Sequence, residues 1–182
     1  MTKQAIAIAV TTAILFIWQF LSWSALTIHK DEFEYTPNQD KIMEALNQHI
    51  TEEGTYMLPN VAPGSNYEQE KALMESSNGK PWATISYHKS MSTAMGMNML
   101  RGLTLDAVVA WLLISLLLKM GNLNMASVLR VCLSIGLIAY LSIAYLHSIW
   151  FESNSTGYLI DAVVCWGIVG AWLGWWLPRA RA

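Results

Sequence analysis

The sequence predicts an all-α membrane protein: four transmembrane helices arranged as two hairpins, with a small α+β extracytoplasmic insertion between spans 1 and 2. Three observations predict it. Of the 182 residues, 54% are hydrophobic and only 13% charged, about half of the roughly 25% charged share of a soluble domain. Four runs approach or exceed the ~20 apolar residues that a helix needs to cross a bilayer. About 70 residues separate the first two runs, too many for a connector and enough for a small folded unit. The layout expected is a transmembrane helix in 1–28, an extracytoplasmic unit over 29–100, and three spans in 101–182, at about 101–119, 126–147 and 157–177.

The first run, Ala5 to Leu26, is flanked by a single basic residue, Lys3, and is longer than the roughly 7–15 apolar residues of a signal peptide. Its best small-residue end, WSA at 23–25, puts Trp23 where a small side chain is needed, so it reads as an uncleaved anchor. The second run centres on Leu103 to Leu118. The third spans Ala126 to Leu146 and is interrupted by Arg130, and the fourth spans Gly157 to Leu177. Pro178 is expected to end that last helix. Lys3, Lys119, Arg130, Arg179 and Arg181 all flank spans on one side. The positive-inside rule makes that side cytoplasmic, with both termini inside and 29–100 periplasmic.

Within the insertion, Thr36, Pro37 and Gln39 suggest an N-cap, a first helical position and a capping box. Ile42, Met43, Leu46 and Ile50 follow on one face, and the helix is expected to end near Glu53-Gly54. TYMLP at 55–59 and WATISYH at 82–88 read as two strands that could pair. Between them, Ser65 and Glu68 suggest a second capping box and a helix ended by Gly79. Such a unit has a thin core and is expected to lean on the membrane surface or a partner.

The strongest internal signal is a repeat. DAVVAW at 106–111 and DAVVCW at 161–166 agree at five of six positions. Two hairpins of one orientation would be related by an axis along the membrane normal, as in parallel-repeat transporters. Asp106 and Asp161 are expected in the first turns of their helices, where the helix dipole tolerates an anion. His29 and His147 leave the preceding spans at the same level, so a carboxylate and an imidazole could meet across each hairpin. Arg101 is a further candidate partner for Asp106. Charged groups in spans usually face the protein or water, which leaves two readings open: polar residues that fix helix register, or a proton or ligand site. Trp18, Ser22, Ala25 and His29 share one face of the first span, read as protein-facing.

Other candidates follow from residue chemistry. His88 with Met91, Met95, Met97 and Met99 offers imidazole and thioethers of the kind that suit Cu(I), or adaptable packing. A zinc or iron site built from both histidines and both aspartates, or bis-histidine haem ligation, has no supporting spacing. No cofactor is expected. Gly167, Gly170 and Gly174 lie on a face of the last span suited to close helix packing, within the bundle or against a second chain. Cys132 and Cys165 lie at different depths, which argues against a disulfide.

The chain has no phosphate-binding glycine loop, nucleophile elbow or HExxH, so neither nucleotide nor nucleic acid is an expected partner, and the protein is not expected to be an enzyme. At WQFLSWSALTIH, EEGTYMLP, KPWATISYH and GYLIDAVVCWGIVGAWLGWWLP the chain resembles a group of small bacterial four-span inner-membrane proteins of uncharacterised function. The resemblance implies a bacterial inner-membrane location and carries no functional residue across. The role expected is a non-catalytic accessory, assembly or scaffold component of a membrane complex, with the lipid bilayer and a membrane-protein partner or a second copy as contacts. The alternative is a small ion- or proton-linked transporter using Asp106, Asp161, His29, His147 and Arg101. A metal-binding or redox protein is the third reading.

Overall fold

The structure, a computed structural model, describes residues 3–181; the Ala180 and Arg181 side chains lie outside the described part. Helix α1 (Lys3–Phe20) continues as a π-helical turn, Leu21–Ala25. Helix α2 (Gln39–His49), strand β1 (Gly54–Leu58), helix α3 (Tyr67–Ser77) and strand β2 (Ala83–Tyr87) follow. Three long helical stretches complete the chain. They are α4 (Met95–Leu117), α5 (Met125–Ala139) with its π-helical continuation Tyr140–Tyr145 and the short α6 (Leu146–Phe151), and α7 (Thr156–Arg181). Four of these stretches are long and apolar enough to cross a membrane.

Residues Tyr35–Thr93 form one compact unit, and the described residues on either side form the other. In the smaller unit β1 and β2 pair antiparallel, with Tyr56 opposite Ile85 and Leu58 opposite Ala83. The Tyr87 hydroxyl is tied to Asn47 Oδ1 of α2 at 2.6 Å, which fastens helix to sheet. Both helix starts differ from expectation. The Ser65 hydroxyl donates to the Ala62 carbonyl within a turn around Gly64, whose φ is +86°. That leaves Asn66 and Gln69 to form the capping box of α3. Thr36 accepts only from the Asn38 amide, at 3.3 Å, so α2 starts beyond Asn38 without a side-chain cap and ends at His49.

In the larger unit α1 packs against α4 and α7, and α7 against α5. Its dry core gathers Ala7 and Leu15 of α1, Ile114 and Leu117 of α4, Val128 and Cys132 of α5, and Val169 and Leu173 of α7. These residues fill the half of the bundle that holds the start of α1 and the end of α7, where Trp176 Nε1 donates to the Lys3 carbonyl at 3.2 Å. Both cysteines are free and buried. Pro178 does not end α7, which continues to Arg181. The proline leaves the Gly174 carbonyl without its amide donor, but one missing bond in the last turn is tolerable. Next to it the Arg179 guanidinium donates to the Trp175 carbonyl at 2.8 Å.

Glycines set the α5–α7 approach. A methyl group added at Gly136 would lie 2.5 Å from both the Ala162 carbonyl oxygen and the Trp166 ring. At Gly170 it would meet Leu129 at 2.9 Å, and at Gly174 the Met125 sulfur at 2.8 Å. The Gly170/Gly174 pair is thus used inside the chain, against α5. Gly167 is looser, with Leu133 at 3.8 Å. Gly136→Ala should therefore lower the thermal unfolding midpoint in mild detergent, at an overpacking cost of about 1–3 kcal/mol. Gly167→Ala should leave that midpoint nearly unchanged.

Candidate functional site

The site begins with a turn. After the π-helical segment, Thr27 takes the left-handed conformation, with φ +51°, which a β-branched residue rarely adopts. The chain doubles back through a 3-10 turn at Lys30–Glu32, and His29 is buried with 4% exposure. Its ring stacks on Trp23 at 3.9 Å and meets the edge of Tyr158 at 5.1 Å. Nδ1 hydrogen-bonds Glu32 Oε1, while Nε2 hydrogen-bonds Asp161 Oδ2 at 2.9 Å. Gly157 makes room at the start of α7, since a methyl group there would lie 2.7 Å from the His29 ring.

Asp161 gathers more than the histidine. Its Oδ1 accepts from Trp18 Nε1 at 2.9 Å and from the Ser22 hydroxyl at 2.6 Å. The face read from the sequence, Trp18, Ser22 and His29, therefore converges on this one carboxylate. Ala25 does not join them and is exposed, because the wider π-helical turn shifts the phase of the helix before it reaches position 25. Burial alone would lower the pKa of His29. The adjoining Glu32 and Asp161 carboxylates outweigh it and hold the imidazole above its ordinary value of 6.5.

Asp106 has a different environment. Its Oδ1 accepts from Gln19 Nε2 at 2.9 Å. Its Oδ2 is buried with no hydrogen-bond partner, and the residue is 4% exposed. It does not sit in the first turn of its helix. Helix α4 starts at Met95, eleven residues earlier, so the aspartate lies three turns in, beyond the reach of the helix dipole. Nor does Arg101 serve it: five residues along a helix turn by about 140°, onto another face. The expected pairing across each hairpin is also replaced. His29 joins the aspartate of α7, while His147 stacks on Phe151, with ring centroids 4.5 Å apart.

Both aspartates border one cavity of about 700 Å³. Leu15, Val109, Ala162 and Trp166 give it apolar walls, and Gln19, Glu32, Tyr140, His147 and Asn154 add polar groups. The π-helical turn at Tyr140–Tyr145 forms part of the rim, braced by the Tyr140 hydroxyl at 3.2 Å from Ser155 Oγ. Sequence reasoning does not single out Gln19 and Glu32 as site residues. Gln19 leaves a signal there, a lone amide inside the apolar run FIWQFL; Glu32 leaves none, because only the turn at Thr27 brings it in.

The other candidates fall apart geometrically. Glu32 and Asp161 engage opposite nitrogens of the His29 ring, so the three groups face one another and do not converge on an ion. Met95 and Met99 share one face of α4 while Met97 is turned away from it, and all three are exposed. His88 and Met91 border a shallow groove of the smaller unit, of about 390 Å³.

Two results should follow. A histidine whose pKa is raised by folding stabilises the protein below its unfolded value near 6.5, and that contribution is lost as the pH rises through the folded value. The thermal midpoint should fall over that window, and His29→Gln should flatten the fall. Asp161→Ala should cost about 3–5 kcal/mol by stranding the Trp18, Ser22 and His29 donors, read as a large drop in the same midpoint. No protein-family model, curated protein or solved structure matches the chain, so the site stands on the chemistry of its own residues.

Proposed function

We propose that the chain is a multi-pass protein of a bacterial inner membrane, with both termini cytoplasmic and the 29–100 segment periplasmic. In this reading its cavity binds a small solute, as in an ion- or proton-linked transporter. The observation that carries the reading is Asp106, a residue bordering the cavity whose Oδ2 is buried without a donor. An unpaired polar oxygen away from water is costly, and such groups within spans mark solute or ion pathways. A volume of about 700 Å³ falls within the usual range of roughly 300–1,000 Å³ for small-molecule sites. Two π-helical segments at the same end of the bundle add support, since such segments concentrate at functional sites.

The orientation rests on Lys3, Lys119, Arg130 and Arg179. Trp172, Trp175 and Trp176 cluster near the same end as Arg179, as aromatic residues do at a membrane interface. An accessory or scaffold role does not account for the hollow. Polar residues that only fix register need packed surroundings, and the half of the bundle that holds both aspartates is open.

Water access tests the reading. Ala139 borders the cavity, whereas its neighbour Ile138 is 65% exposed on an apolar face and would meet lipid. In a Cys132→Ala, Cys165→Ala background in membrane vesicles, a charged methanethiosulfonate reagent should label Ala139→Cys faster than Ile138→Cys. Equal, negligible labelling of both would mean that the cavity is closed to solutes, and the accessory reading would replace this one.

A further inference from the structure

Resting on the reading of the cavity as a solute site, we infer that its ligand is a protonated organic amine with an apolar body, and that Asp106 is the counter-ion. Charge sets the sign. Three carboxylates, Asp106, Asp161 and Glu32, border the cavity, and among the described residues no lysine or arginine does. His29 supplies at most one positive charge, and both its ring nitrogens are committed to Glu32 and Asp161. Neither can reach Asp106.

Geometry narrows the class. Gln19 fills Oδ1 of Asp106 and leaves Oδ2 buried without a donor. That oxygen calls for a donor, so a cation bearing N–H fits and a quaternary ammonium does not. The remaining wall, with Leu15, Val109 and Trp166, suits a hydrocarbon or aromatic body. A small hydrated inorganic ion would leave those apolar walls unused. Asp161 is ruled out as the counter-ion because three donors already occupy it.

Calorimetric titration of the full chain in mild detergent, at a pH where the amine is protonated, tests this with three probes of similar body: benzylammonium, benzyl alcohol and benzyltrimethylammonium. Benzylammonium should bind roughly tenfold or more tighter than either other probe, as one charge-assisted hydrogen bond provides. Asp106→Asn, which keeps the Gln19 acceptor, should erase the preference. The wild-type comparison needs no variant, so it decides even if Asp106→Asn fails to fold. Equal binding of the alcohol, or a preference that survives in folded Asp106→Asn, overturns the amine assignment and leaves the solute cavity standing. Absence of binding by all three overturns the assignment too. If Ala139→Cys is then also unlabelled, the cavity reading falls with it.

Discussion

The larger unit is organised around the Asp161 carboxylate. Trp18 and Ser22 hold α1 to it, and His29 brings the chain beyond α1 back onto the start of α7. Through the same ring, Glu32 is anchored at the cavity wall. A partly buried carboxylate needs donors to offset its desolvation, and here they come from a segment more than a hundred residues away in sequence. The arrangement is correspondingly asymmetric: one aspartate is saturated and organises structure, while its repeat counterpart keeps a free oxygen.

That asymmetry matches a division of labour along the bundle. At one end Ile114, Leu117, Val128 and Leu173 are fully buried, and Gly170 and Gly174 let α7 approach the start of α5 closely. At the other end α1 and the α5 stretch depart from regular α geometry beside the cavity. Tightness at the first end is what makes a hollow sustainable at the second. Atoms lining a void have no neighbours on one side and forfeit dispersion attraction there, so denser packing elsewhere in the same helices must offset it.

Much of this was legible in the sequence. Apolar run length located the four long helices, and the two expected strands form and pair. What failed had local physical causes. The second span is expected from about 101, yet methionine is a good helix former, so α4 starts at Met95 and Asp106 lies deep in its helix. Pro178 has the look of a terminator but sits where only one backbone bond is forfeited. The pairing of His29 with Asp161 was out of reach, because it depends on a threonine in a conformation that its own side chain disfavours. The repeated DAVV-x-W likewise gives no warning that its two aspartates have different partners, since those partners come from the first helix and the turn after it.

The π-helical turn of α1 sets a further constraint, on length. The Leu26 amide reaches the Leu21 carbonyl at 2.8 Å, one residue farther back than in an α-helix, so the segment carries in effect one inserted residue. Removing a residue there would rotate everything beyond it by about 100°. Trp23 would leave the His29 ring, and the turn at Thr27 would point elsewhere. The ten residues between Trp18 and His29 therefore act as a measured spacer. Their number is under tighter constraint than most of their identities.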